Sequence, residues 1–259
     1  MTILRRINTS AHRFYYKHFS RTKWKVVRFL GAEFIMQPSN YIDRRMWVEG
    51  GYESLHLTYM LKQAQMHDFD AFLDIGANFG LYSCVLGKNK VAPIVHSFEC
   101  DPRNVNHLRG HIRMNSLLDD VTVHPFAVGD VAGEITFRMA SGNSTGHSYV
   151  AESSESYALI HSEKNSKEYQ SITVEQKSVD DVLSFTGKEL LIKIDVEGYE
   201  KIVLKGMEQT LRDNICLLQI EIVNDSHEQI EMLAALGYER VHKIDDDWYF
   251  SNRPTNSTQ

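Results

Sequence analysis

Ala71-Phe72-Leu73-Asp74-Ile75-Gly76-Ala77-Asn78-Phe79-Gly80 is the stretch on which the fold turns. A short apolar run ends in an acid and a glycine-punctuated turn. Tyr82, Val85 and Leu86 then resume at helical spacing, so the reading is strand, tight loop, helix. Further short apolar runs follow at Ile94–Glu99, Val121–Phe126, Leu190–Asp195 and Ile215–Ile222. Near-continuous apolar character marks strands covered on both faces. Between and after them, Val105/Leu108/Ile112, Val203/Leu204/Met207/Leu211 and Ile230/Leu233/Ala234 supply helices, and Leu57/Met60/Leu61/Ala64 predict one over 53–66. The chain is therefore α/β, with a doubly wound parallel sheet. Tyr238–Lys243 and Trp248–Ser251 flank Asp245-Asp246-Asp247, which predicts a closing hairpin with an antiparallel last strand.

The 259 residues, 42% hydrophobic with only 5 prolines, suffice for one core and exclude a disordered or fibrous chain. No run approaches the roughly 18 apolar residues that cross a bilayer, and the start lacks a secretory signal, so a soluble protein is expected. Cys84, Cys100 and Cys216 are odd in number and widely spaced, which excludes a disulfide framework and points to the cytoplasm. Charge is segregated. Residues 1–30 hold eight of the 28 Lys and Arg and no acid, so the other 20 face all 34 acids, a balance of −14. A nucleic-acid enzyme shows the opposite body charge, and nucleic acid is not expected as a partner. With Phe14, Tyr15, Tyr16, Phe19 and Trp24 interleaved, the arm reads as a solvated helix packing its aromatics on the body. The alternatives are a peripheral contact with anionic lipid, worth about 1 kcal/mol per basic residue, and an organelle transit peptide.

The chain divides into a basic arm and lead-in over 1–50 and a catalytic domain over 51–259. Within the latter, 127–189 is an insertion, because more than sixty residues separate Phe126 from Leu190. Gly133–Met139 alternates like a strand, while 141–166 carry eight serines and little periodicity. Inserted after the third strand, this segment overhangs the edge where open sheets bind ligands and is a candidate substrate cap.

The glycine turn bears on chemistry. Its GxxxG spacing differs from the GxGxxG of dinucleotide sites, and Asp74 would repel a pyrophosphate, which disfavours a nicotinamide dehydrogenase. Asp74, Gly76, Asn78 and Gly80 instead suit a ligand with a cation and a carboxylate near free N–H groups, and S-adenosylmethionine has both. Glu99 stands twenty-five residues after Asp74 at the tip of the second strand, where an acid accepts hydrogen bonds from both ribose hydroxyls. Asp101-Pro102 reads as a helix N-cap and first turn. Phe126 and Ala127 close the third strand, where an adenine finds an apolar wall.

Asp74–Gly80, Phe98–Pro102, Ser178-Val179-Asp180-Asp181-Val182 and Lys193-Ile194-Asp195-Val196-Glu197-Gly198-Tyr199-Glu200, in this order, resemble the FkbM-type methyltransferases. The resemblance spans about residues 50–223. It implies the class I, Rossmann-like methyltransferase fold, seven strands in the order 3-2-1-4-5-7-6, and O-methylation of sugars or polyketide-like products with S-adenosylmethionine. Gly51-Tyr52-Glu53 resembles a family segment that closes over the methionine end, which makes Glu53 a cofactor contact by the same analogy.

Asp195, at the end of the fourth strand, is the first choice for acceptor or cofactor contact and for a general base, with Glu197 second. Glu221 ends the fifth strand beside it. Asp195 and Glu221 with Asn224 can hold Mg²⁺ or bind substrate hydroxyls without a metal; no HxH or DxD spacing forces the metal. His147 lies in the cap as a further base candidate, and Tyr82, Trp47 and Trp248 read as packing. Asp195-Val196-Glu197-Gly198 offers neither the Pro-Pro-aromatic turn of adenine methylation nor the cysteine of cytosine methylation. The expected function is methyl transfer to a hydroxyl of a saccharide, glycolipid or polyol-like acceptor; the alternative is a catalytically inactive cofactor-binding protein.

Overall fold

The computed structural model describes residues 24–37, 41–49, 51–140, 148–151, 169–222 and 227–254. In chain order these form β1 (Lys25–Phe29), β2 (Ala32–Met36), α1 (Tyr41–Glu49), α2 (Ser54–Ala64), β3 (Ala71–Ile75), α3 (Leu81–Lys88), β4 (Ile94–Phe98) and α4 (Pro102–Met114). Then come β5 (Val121–His124), β6 (Ala127–Val128), β7 (Gly133–Ala140), β8 (Tyr149–Val150), β9 (Tyr169–Lys177) and α5 (Val179–Val182). The chain continues with β10 (Glu189–Ile194), α6 (Glu200–Lys205), α7 (Glu208–Asp213), β11 (Ile215–Glu221), α8 (His227–Ala235), β12 (Glu239–Ile244) and β13 (Asp247–Ser251).

The central sheet runs β5-β4-β3-β10-β11-β13-β12, and β13 is antiparallel to both its neighbours while the other pairs are parallel. Numbered within the sheet, that order is 3-2-1-4-5-7-6. Each central strand is buried on both sides, and its residues alternate between two cores. Leu73, Ile75, Ile192, Ile194, Leu218 and Ile220 face α6, α7 and α8 through Val203, Leu204, Leu211 and Leu233. Phe72, Leu191, Leu217 and Tyr249 face α2 and α3 through Leu57, Met60, Val85 and Leu86.

Three expectations change in detail. Residues 24–30 are not helical: β1 and β2 make a hairpin in which Ala32, Phe34 and Met36 alternate inward onto the core, a period of two that the arm's charge had hidden. The aromatic arm before Trp24 lies outside the described residues. Strand β5 stops at His124, two residues short of Phe126. The single helix expected through 203–211 breaks at Gly206, where an added Cβ would lie 1.8 Å from the Gly129 carbonyl oxygen. That approach lets the chain after β6 cross close to the helix.

The insertion builds a second sheet, β6-β9-β7-β8, in which β7 and β9 pair antiparallel along their length. Phe137, Met139 and Val150 pack from it onto the core beside Phe98 and Phe126. Arg103, at the start of α4, ties the sheets together: its guanidinium donates to the Ala140 carbonyl at 2.8 Å and pairs with Asp101 at 2.6 Å. His147 and most of the serine-rich stretch lie outside the described residues. Among the described residues no helix is long and apolar enough to cross a membrane.

Candidate active site

Gly76 decides how the first strand ends. Its φ is +83°, and a Cβ there would sit 1.8 Å from the Asp195 carbonyl oxygen, so only glycine lets the tips of β3 and β10 close up. The Asp195 N–H donates to the Ile75 carbonyl at 3.0 Å across the same gap. The loop's N–H groups then turn toward β4: those of Gly76 and Ala77 donate to the Phe98 carbonyl, and that of Asn78 donates to Glu99 Oε2 at 2.8 Å. These three amides are spent on the protein, not left free for a ligand as the glycine pattern suggests. What they achieve is the placement of Glu99. Its Oε1 accepts from the Asp101 N–H at 2.7 Å, and Asp101 in turn caps α4 through the Arg103 N–H. Burial raises the Glu99 carboxyl to about 7 even against these bonds. Asn78 Oδ1 is buried with no partner.

Beneath this loop, register lines up a polar row across five strands: Ser97, Asp74, Lys193, Gln219 and Tyr249. Asp74 Oδ2 accepts from the Ser83 N–H and hydroxyl at 3.0 and 2.5 Å, which anchors the first turn of α3. Burial raises its carboxyl, partly countered by Lys193. Lys193 is 3% exposed, pairs with Asp195 Oδ2 at 2.9 Å and lies 4.7 Å over the Tyr82 ring. Burial opposes its charge, but the carboxylates of Asp195, Glu53 and Asp74 outweigh that and hold its pKa above the ordinary range. The Tyr82 hydroxyl donates to Glu53 Oε2 at 2.5 Å and accepts from the Gln219 amide at 3.3 Å; the same amide donates to Asp247 Oδ1 at 2.7 Å.

Two cavities meet above the row. The first, about 960 Å³, runs from Glu99 and Asn78 along an apolar wall that includes Phe98, Phe126, Ala127 and Val150. The second, about 1070 Å³, is walled by Glu221, Asp245, Asp246 and Asp247, with Arg45 and His56 among its few cationic or neutral-base groups. Tyr52, Glu53, Asp195 and Glu197 line both. Burial, reinforced by Glu200 and Glu53, raises Glu197 to about 8. Burial, reinforced by Asp195 and Glu197, raises Glu221 to about 9.

These shifts predict a pH dependence of stability. Above about pH 7.5 the histidines with depressed pKa values are neutral in both states. The raised carboxyls of Glu53, Glu99, Glu197, Glu200 and Glu221 are ionised in the unfolded chain but still bind protons in the folded one. Stability therefore falls as pH rises from about 7.5 to 9. Thermal unfolding of the ligand-free protein across that range checks it; a flat or rising midpoint would contradict these shifts.

Of the residues singled out from sequence, the structure gathers Glu53, Gly76, Asn78, Glu99, Phe126, Ala127, Asp195 and Glu197 on the first cavity and Glu221 on the second. Asp74 and Gly80 line neither: Asp74 lies beneath the floor, and the position of a Gly80 Cβ is 2.5 Å from Leu108 Cδ1, away from the cavity. Asp195 and Glu221 both border the second cavity, but Asp195 Oδ2 takes the Lys193 ammonium; among the described residues no group of three or more His, Cys, Asp or Glu has a metal-holding arrangement. Asn224 and His147 fall outside the described residues. Lys193, Tyr82, and the insertion's Phe137, Ser148 and Val150 had no place in the sequence-derived site. For Lys193 the available signal was a lysine inside an otherwise apolar buried strand.

The Methyltransferase FkbM domain matches residues 74–240. The chain belongs to the FkbM methyltransferase family. Among solved structures, an FkbM methyltransferase from Methylobacillus flagellatus KT is 18% identical with a TM-score of 0.48, over 71% of this chain and 44% of that one. This FkbM chain thus spans less than half the length of that relative. M. jannaschii TYW2 in complex with AdoMet is 11% identical with a TM-score of 0.43, over 90% and 85% of the two chains. Precorrin-6y C5,15-methyltransferase from Geobacter metallireducens GS-15 is 12% identical with a TM-score of 0.40, over 75% and 85%. No curated protein matches the chain.

Proposed function

We propose that the protein is an S-adenosylmethionine-dependent O-methyltransferase that acts on a hydroxyl of a saccharide or other small polyol-like acceptor. The observation that carries this reading is the meeting of two unlike cavities at Tyr52, Glu53, Asp195 and Glu197. The first suits a nucleoside: Glu99 keeps lone pairs for two ribose hydroxyls, the orphaned Asn78 Oδ1 can accept a further donor, and Phe126 and Ala127 flank an adenine. The bound cofactor supplies a methyl group on a sulfonium centre. The second cavity is rich in carboxylates, which accept hydrogen bonds and donate none when ionised, so it matches an acceptor dense in O–H donors and repels phosphates. Holding the hydroxyl in line is where most of the acceleration would arise, with a base at the junction adding about 10²–10⁴.

The test is transfer of labelled methyl from S-adenosylmethionine to saccharide, glycolipid and polyol extracts, repeated with Asp195→Asn. That variant should keep the cofactor Kd within about threefold, a change below 1 kcal/mol, while methyl transfer falls about 100-fold because the junction no longer aligns the acceptor hydroxyl. Equal losses of both would make Asp195 a cofactor ligand alone. Tight binding with no transfer by the unaltered protein would favour a binding protein without catalysis.

A further inference from the structure

Four residues border both cavities, and methyl transfer has to happen where the cavities meet. Three of the four are acids, and their surroundings differ. Asp195 has Oδ2 held by the Lys193 ammonium at 2.9 Å, so its charge is already balanced. Glu197 lies in left-handed backbone (φ +56°) and has no hydrogen-bond or ion-pair partner among the described residues, so no contact fixes its direction. Burial also leaves it about 8, mostly protonated at neutral pH. Glu53 shares the left-handed backbone of Glu197 but, unlike it, is gripped by a neutral donor. It sits in left-handed backbone (φ +51°) at the N-cap of α2, a conformation that costs a non-glycine residue free energy and persists only where surroundings impose it. The Tyr82 hydroxyl grips its Oε2 at 2.5 Å, and Tyr82 is itself held by Gln219 and is 3% exposed. Among the described residues its Oε1 has no hydrogen-bond partner.

Resting on the reading above, we propose that Glu53 is the catalytic base of this site, its unengaged oxygen taking the proton of the acceptor hydroxyl, and that Tyr82 is the positioning residue that presents it. The acceptor's O–H bond breaks with its proton going to Glu53 Oε1, and the acceptor oxygen forms the new bond to the methyl carbon. The methyl–sulfur bond breaks with its electron pair remaining on sulfur, so the sulfonium charge is lost and a neutral thioether departs. Proton and charge balance without another reactant.

The groups around Glu53 permit this near neutral pH. Burial raises its carboxyl to about 7, with Lys193 opposing, Asp195 adding to the rise, the Tyr82 hydrogen bond opposing and Asp247 adding. Lys193 from β10 stays cationic, while Tyr82 from α3, Tyr52 before α2 and Tyr249 from β13 are all raised and stay neutral. Arg45 of α1 lies over the Tyr52 ring, and Glu197 ionises only above Glu53.

The test uses Glu53→Gln and Tyr82→Phe in the full chain, with three readouts: calorimetric Kd for S-adenosylmethionine, methyl transfer against pH to the best acceptor of the screen above, and ¹³C-glutamate NMR titration of the protein alone. Glu53→Gln should leave the cofactor Kd within about threefold, lower transfer by about 10²–10⁴, abolish the acidic limb of the pH profile and remove one carboxyl titrating about 7. Tyr82→Phe should keep KM and lower kcat by about tenfold. It should also move that limb to higher pH, because the lost bond favoured the ionised carboxylate. A merely structural tyrosine would not move the limb. The proposal falls if Glu53→Gln retains transfer, if it loses binding and turnover by the same factor, or if Glu53 titrates at the ordinary carboxylate value. Should Glu53→Gln not fold, the Tyr82→Phe limb and the NMR titration decide in the same way. Failure of the unaltered protein to methylate any acceptor would sink the functional reading and this base with it; turnover insensitive to Glu53 would sink the base alone.

Discussion

Glu99→Ala should raise the dissociation constant for S-adenosylmethionine by about 100-fold. Hydrogen bonds to a charged group contribute about 1.5–3 kcal/mol each, and on the proposed reading the variant loses two ribose contacts of which water restores part; a net loss of about 2.7 kcal/mol is 100-fold. The variant also strips the Asn78 and Asp101 N–H groups of their acceptor, so the loop that shapes the cavity loosens. The raised Glu99 pKa adds a second signature. Below about pH 7 the unaltered site increasingly carries a neutral acid, which has fewer lone pairs free to accept the two hydroxyls, so its Kd should rise from pH 7 to 5.5. The alanine variant should lack that Glu99-linked slope. Calorimetry on both proteins across this range is the check, and a Kd unchanged on substitution would remove Glu99 from the ribose.

Gly76→Ala should cost more than a contact. Its Cβ would meet a main-chain oxygen at 1.8 Å, which no rotamer relieves, and the residue would also be held at φ +83°. Relief requires the tips of β3 and β10 to part, which breaks the Asp195 to Ile75 hydrogen bond and shifts the junction of the two cavities. We expect a destabilisation of about 4 kcal/mol or more, in the class of severe backbone and overpacking changes, with cofactor binding lost in whatever remains folded. Urea unfolding with intrinsic fluorescence measures it. A midpoint within experimental scatter of the unaltered protein would mean the strand ends are not packed as described.

The central sheet was legible because buried parallel strands have a strong signature: Ala71–Ile75 and Leu190–Asp195 announce themselves as apolar runs with an acid at or next to the end. The order of the strands came from the family resemblance, and the register bears it out. The second sheet was half legible. β7 alternates, but β9 is the polar run Tyr-Gln-Ser-Ile-Thr-Val-Glu-Gln-Lys, with only Gln176 buried, so hydrophobic patterning has little to report there. The β1–β2 hairpin was masked by the basic arm that runs into it, whose charge says nothing about backbone conformation. Glu99 was found because a strand tip fixes where its side chain begins. Tyr82 was read as packing, and its ring is buried; its hydroxyl matters only because Glu53, 29 residues earlier in the chain, folds back to meet it. Partnerships of that kind are properties of the tertiary fold and leave no spacing to read.

The polar row from Ser97 to Tyr249 has a bearing on how such a domain can diversify. The cavity proposed for the nucleoside hangs from β3 and β4, while the acid-lined cavity hangs from β11 and the Asp245–Asp247 turn, with the Lys193 charge buried between them. Swapping that turn for another sequence would redraw the acceptor's welcome while leaving the cofactor's berth intact. On the proposed reading, an engineer seeking a new acceptor would graft there first, and a lineage drifting toward new acceptors would have the same latitude.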